Sequence, residues 1–510
     1  MLDRYKNHSF LINIVAFLAF FLLASERLVA FSSLADLLID SDRSTVHSLL
    51  FNFLRVLTTI IFLGLLPTIL SITDSFIIFF TTPIFKKRWK KFTSLKRGYY
   101  SFILIVILFG ISFFSELLIN NRALYVKFQG QTFYDTLYTF KRAKDFGMTG
   151  YGLPNYRLLK DFYAEQAEKR NRRFADGTAT EEDKKYRSEW GEDFVVLPPY
   201  PYGPVESLLD ELPGRPPHPP SWLQSAWRIN YWDQGWYQLP DANSVLPEKY
   251  SAPKWANVPR HDIYKDMALD GNLKFRDGKK PVGAFTHILG TDDRGRDVFS
   301  RMVYGFYTSI KFALIVTFIC YSIGVSIGAF LGYFGGVFDI IVQRFVEIWS
   351  AMPFLYTVMI ISAIMEPTFM LLAFILTLFG WMGMTYYIRG EFYREKSKDY
   401  VSAATAIGCT HTSIIFKHIL PNSLTPVISF MPFAIVGNIS SLVSLDFLGF
   451  GLPAPTPSWG ELLGQGLANL TKPWLVLSPM IAMFVTLLLV SFIGEAIREA
   501  FDPKEYSRLR

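Results

Sequence analysis

Three aspartates at close spacing, Asp292, Asp293 and Asp297 in LGTDDRGRDVFSR, are the residues whose types could hold a metal ion. A calcium loop of the EF-hand kind also needs a later bidentate Glu, which is missing. Arg294 and Arg296 stand among the acids, so the stretch reads as an internally charge-paired turn leading into an amphipathic helix. No GxxxxGK[ST] phosphate loop, HExxH, CxxC or GxSxG occurs. Gly449 and Gly451 lack the strand, helix and distal acid of a dinucleotide site. The chain thus has no catalytic constellation of its own, and no cofactor or metal is expected in it. The remaining polar feature is 400–421, YVSAATAIGCTHTSIIFKHILP, an island between long apolar runs. It is read as one short helix, from about Tyr400 to Phe416, whose Ala403, Ala404 and Gly408 share a small-residue face for a close partner. Pro421 punctuates its end.

The elements that must position these segments are membrane spans. A 510-residue chain that is 51% hydrophobic, with a mean hydropathy of +0.24, is too apolar for an ordinary soluble protein. Its net charge of +7 bunches beside apolar runs, as in membrane-protein loops, so nucleic acid is not an expected partner. The cysteines, Cys320 and Cys409, imply no disulfide framework.

Apolar runs at 10–23 and 49–72 are read as two N-terminal spans, and the first has no convincing signal-peptide cleavage site. The loop KKRWKKFTSLKR is purely basic and therefore cytoplasmic, which places the N-terminus in the cytoplasm too. A third span at 99–119 leads to a polar, Pro-rich segment carrying Trp222, Trp227, Tyr231, Trp232, Trp236 and Tyr237. That many aromatics argue for a small folded extracytoplasmic insertion docked on the mouth of the protein, not a bare linker. Further spans are expected at 312–334, 348–365, 369–388, 424–443 and 476–493. Gly335 to Gln343 is read as a short cytoplasmic connection, and Glu366–Pro367 as a tight external turn. Gly324, Gly328 and Gly332 recur every four residues, a spacing for close helix packing in lipid. Glu116, Glu347 and Asp446 lie near span ends and are expected at the interface. Arg389, Arg394, Lys396, Lys398 and Lys417, with Arg498, Lys504, Arg508 and Arg510, put the 389–423 loop and the C-terminus in the cytoplasm.

The fold class that follows is an all-α integral membrane protein of about eight transmembrane helices with a large extracytoplasmic insertion. Its divisions are residues 1–80, a two-helix segment; 81–120, the basic loop and next span; 121–288, the insertion; and 289–510, the core.

YVSAATAIGCTHTSIIFKHILPN resembles the cytoplasmic EAA loop of ATP-binding-cassette importer permeases. Ala403, Ala404, Gly408, Leu420 and Pro421 match that pattern, and Ser402 stands where the family usually has Glu. LGTDDRGRDVFSRMVYG, with Gly290, Thr291, Asp292, Gly295, Arg296 and Asp297, looks like the segment before the second core helix of dipeptide and oligopeptide permeases. SLDFLGFGLPAPTPSWGELL and the closing FDP are similar to their distal region. The likeness is strongest to the Yej-type branch, associated with oligopeptide and microcin C uptake. Residues 1–80 and the size of the insertion depart from the shorter family members. The resemblance implies a six-helix type I permease core in the inner membrane, and a non-catalytic subunit moving peptides or peptide-like compounds. Its implied partners are a second homologous permease, two ATP-binding cassette subunits that bind the ATP, an extracytoplasmic peptide-binding protein and the bilayer. Ser402 through Pro421 would dock on the ATPase, so that Gly408→Trp blocks docking. An ATPase-independent secondary transporter or channel is the rival; its need for an intramembrane ion site fits the charge-poor spans badly.

Overall fold

The computed structural model describes residues 83–134, 141–148, 152–209, 216–220 and 287–501. The two N-terminal spans, the Trp- and Tyr-rich segment after the proline patch, and the tail beyond Phe501 lie outside the described residues. Among the described residues, five helices are long and apolar enough to cross a bilayer. They are α1 (Lys96–Phe113), α3 (Val298–Phe334), α6 (Phe369–Lys396), α8 (Thr425–Phe447) and α10 (Trp474–Phe501), with α2 (Tyr156–Ala175) lying in the insertion. A sixth span is possible by length and composition as a bent pair, α4 (Gly336–Ser350) and α5 (Phe354–Ile364), which meet at 70°.

That pair corrects the sequence reading. Gly335 to Gln343 is not a connection: Gly335 and Gly336, at φ +64° and +62°, make the turn alone, and helix resumes at once. The break at 351–353 follows from Pro353, whose ring disfavours helical geometry in the preceding residue. Nor is there a boundary between the amphipathic stretch and the span at 312–334. Asp297 caps the first turn by accepting from Ser300 N at 2.8 Å, and α3 then runs 37 residues without interruption.

The principal packing contact is α3 on α6. A Cβ added at Gly324, Gly328 or Gly332 would come within 2.6 Å of Trp381 O, 2.7 Å of Thr385 O and 2.5 Å of Phe392 Cβ respectively. The four-residue glycine repeat therefore lets two backbones touch, which is how helices gain dispersion energy where lipid offers no hydrophobic drive. The core around this seam includes Phe312, Val325, Ala329, Ile388 and Phe392.

The insertion adds a small three-stranded antiparallel sheet to the helices of the described residues. β1 (Tyr125–Phe128) lies between β2 (Gln131–Phe133) and β3 (Phe194–Val196), with Val126 opposite both Phe133 and Val195. Helix α2, capped by Asn155, covers it. Val126, Phe146, Tyr156, Leu159, Tyr163 and Val195 form its own core.

Candidate functional site

Two segments singled out by the sequence stand at opposite ends of α3. At its start, Gly290 to Asp297 forms a closed polar turn. Asp292 Oδ1 accepts from the backbone N–H of Arg294 and Arg296 at 3.0 and 2.8 Å, while Arg296 Nε donates to Oδ2 at 2.7 Å. Arg296 and Arg301 then converge on Glu461, from α9 (Trp459–Ala468), with Arg296 Nη2 at 2.9 Å. Burial pushes the Glu461 carboxyl up, but Arg301 and Arg296 outweigh it and hold the pKa below the usual value. Asp297 accepts from Tyr200 Oη at 2.8 Å and lies 2.7 Å from His287 Nδ1, besides capping α3. Thr291, Asp292, Asp297 and Arg301 are fully buried.

This turn is where the insertion is fastened. Thr291 exchanges two bonds with His218, whose N–H donates to Thr291 Oγ1 at 2.8 Å and whose carbonyl accepts from Thr291 N at 3.0 Å. A Cβ on Gly290 (φ +74°) would stand 2.4 Å from the same carbonyl. Leu208 N donates to Gly295 O at 3.0 Å, Ser300 Oγ to Tyr202 O at 2.7 Å and Arg301 Nη1 to Pro204 O at 3.1 Å. Sequence reasoning passed over Glu461 because its arginine partners lie 165 and 160 residues away in the chain. Ser458 caps α9, accepting from Gly460 N at 3.1 Å, and the Glu461 carboxylate goes to the arginines. Asp446 likewise holds structure together, accepting from Leu452 N at 2.6 Å and from Ser458 Oγ.

At the far end of α3, residues 399–423 form a different kind of surface. The single helix expected to run to Phe416 is two. α7 (Asp399–Ala406) ends in a glycine cap: Gly408, at φ +87°, donates to Thr405 O at 3.0 Å, and Cys409 N to Ala404 O at 3.1 Å. Thr410 then caps a second helical segment, accepting from Ser413 N at 3.3 Å. That segment widens into π-turns over Ile414–Ile419 and continues through Pro421 to Ser423, so the proline does not end it. A Gly followed closely by Thr is a stop and a start, and was legible as such.

The shared face of Ala403, Ala404 and Gly408 does not exist either. Consecutive helical residues point about 100° apart, so Ala404 is buried against the core while Ala403 faces out, and Gly408 lies beyond the helix. Ser402, Ala403, Thr405, Ala406 and Gly408 are exposed, and Ile407 projects at 82% exposure. Leu420 is fully buried and Pro421 half-buried.

The surface is held rigidly from behind. Tyr400 Oη donates to Glu395 Oε2 at 2.9 Å, and burial, then this bond, push the phenol up to about 12. Lys398 donates to the other Glu395 oxygen at 2.7 Å. His411 Nδ1 lies 2.6 Å from Tyr333 Oη at the end of α3, while Ile414, Ile415, Phe416 and Ile419 are buried. Among the described residues, no group of three or more His, Cys, Asp or Glu could hold a metal ion.

Residues 324–505 match the family described as binding-protein-dependent transport system inner membrane component. The chain is 34% identical to the peptidoglycan transport system permease protein YejE of Agrobacterium fabrum, over 84% of this chain and 95% of that one. It is 32% identical to the inner membrane ABC transporter permease protein YejE of Escherichia coli, over 83% and 98%. The oligopeptide transport system permease protein OppC of Haemophilus influenzae is 36% identical over 43% of this chain and 71% of its own. Among solved structures, an inward-facing MetNI methionine ABC transporter chain covers 40% of this chain at 16% identity and a TM-score of 0.33. Sustained identity to both YejE proteins over nearly their whole length places this multi-pass inner-membrane chain in the ABC importer permease family of YejE, OppC and DppC.

Proposed function

We propose that this permease forms one half of a path for peptides or peptide-bearing compounds, driven by ATPase subunits that dock on residues 399–423. The peptide class is supported by the oligopeptide and peptidoglycan transport named for its relatives. The observation that carries the docking role is Ile407, an aliphatic side chain 82% exposed at the C-cap of α7 and flanked by small residues. Small residues around one projecting apolar knob let a partner's backbone approach closely. The buried Val401, Ala404 and Ile414–Phe416 keep that knob from collapsing onto the permease.

In this reading, Ser402, Ala403 and Gly408 contact an ATP-binding cassette subunit, while Ala404, Leu420 and Pro421 seat the loop. The loop and both chain ends lie in the cytoplasm, and the insertion at 121–288 faces outward, where a peptide-binding protein delivers substrate. Gly290, Thr291, Asp292, Gly295, Arg296 and Asp297 fasten that insertion to the core at 289–510. A second homologous permease completes the path. ATP binds on the partner subunits, whose closure moves α7 and, through the bond between His411 and Tyr333, the end of α3.

Ile407→Asp tests the assignment. Peptide uptake and copurification with the ATPase pair should each fall about tenfold or more, as for a central interface anchor, while expression and melting temperature stay at wild-type values. Undiminished uptake in the well-expressed variant would sink it.

A further inference from the structure

Helices α4 and α6 flank an open cleft of about 320 Å³ lined by Asp339, Gln343, Arg344, Glu347, Tyr386 and Arg389. Asp339, Gln343 and Glu347 are four residues apart on α4, so they form a single polar stripe. The residues beside that stripe, Val337, Ile340, Ile341, Phe345 and Ile348, are exposed and apolar. Polar stripes in membrane-embedded helices are costly and mark pathways by default.

The charges in the cleft cancel. Arg389 grips Asp339 through two bonds of 2.6 Å, and Tyr393 Oη donates to the same carboxylate at 2.7 Å. Arg344 pairs with Glu347 at 2.5 Å. Two cations and two carboxylates leave nothing to attract a phosphate or any other simple anion. What is left over is a hydrogen-bond donor: Gln343 is 9% exposed, and its buried Nε2 has no partner. An unmet buried amide costs about 1–3 kcal/mol, which a ligand carbonyl placed against it would recover. Beside it, the half-exposed Glu347 and the exposed Arg344 offer an acceptor and further donors at the rim. A ligand that is neutral along its length and alternates carbonyl acceptors with N–H donors satisfies all three, and that description is a peptide main chain.

We propose that this cleft is a binding site on the transport path for the main-chain amides of the peptide in transit, with Gln343 Nε2 donating to a peptide carbonyl. The proposal rests on the peptide-transport reading above. It is tested in the complete importer, reconstituted in proteoliposomes with a labelled peptide.

Gln343→Leu should lower peptide moved per ATP hydrolysed about fivefold, the loss expected for one hydrogen bond of about 1 kcal/mol. ATPase stimulation by the loaded binding protein should persist, because residues 399–423 are untouched. As a second measurement, a benzophenone side chain at Ile340, 59% exposed at the cleft wall, should crosslink the labelled peptide during turnover. Crosslinks to lipid only, or to the second permease only, overturn the site, as does an unchanged uptake-to-ATP ratio in Gln343→Leu. If the unmodified importer moves no peptide, it is the functional reading that fails, and the site falls with it.

Discussion

The turn at Gly290 to Asp297 and the loop at 399–423 stand at the two ends of α3, and they divide the chemistry unevenly. The turn holds the reactive-looking residues, yet Asp292, Asp297, Arg296 and Arg301 are buried and engaged within the fold, Asp292 by Arg296, the arginines by Glu461 and Asp297 by Tyr200, His287 and Ser300. Such a network binds one part of the chain to another and offers no open coordination to a ligand. The loop is chemically plain, with Ser402, Ala403, Thr405, Ala406 and Ile407 outermost. Its projecting apolar residue, Ile407, is left exposed among the described residues. Function in this permease is therefore sought where side chains are left over, not where they are most charged.

The contrast can be broken first at Arg301. Its guanidinium meets Glu461, Pro204 O and Asp292 with no exposure of its own. Arg301→Met leaves the buried Asp292 and the part-buried Glu461 short of a cation and should cost about 3–5 kcal/mol. The readout is midpoint temperature and detergent-extracted yield. A variant of normal stability would show that the network is not the fastening point.

The same fastening should respond to pH through His218. Burial, with His287 and Lys472 adding to it, pushes this imidazole down to about 4. An undocked His218, at about 6.5, takes its proton first as the pH falls. Docking is thus at full strength above about pH 6.5 and weakens progressively towards pH 4, by at most about 3 kcal/mol. Protection of segment 121–288 from protease between pH 7 and pH 5 measures this, and His218→Leu should flatten the profile. A profile already flat in the wild type would remove His218 from the account.

The finest comparison lies within α7. Ala404→Trp overfills a buried position and should destabilise by about 1–3 kcal/mol. Ala403→Trp, one residue away and exposed, should stay within about 0.5 kcal/mol of wild type yet still depress uptake. Equal melting shifts for the two would mean that α7 presents a different face from the one described.

Much of this was legible in the sequence. The apolar runs, the glycine repeat at Gly324, Gly328 and Gly332, and the charge-paired turn all follow from local composition and spacing. Gly408 and Thr410 carried a helix stop and start that were read through, because Ala403, Ala404 and Gly408 looked like one face. Glu461 could not be found, because its arginines lie 160 and 165 residues away in the chain.

The sequence by itself determined that this is a helical membrane protein, since about 20 apolar residues in a row have few other solutions in a bilayer. It also carried the spacing that lets α3 and α6 touch. Tertiary structure alone decided which alanine faces inward, which acid meets Arg296 and Arg301, and that Gln343 ends up buried beside a self-neutralised ion pair. Those outcomes depend on which distant helix supplies the partner atom, and local sequence holds no record of a contact made across the fold.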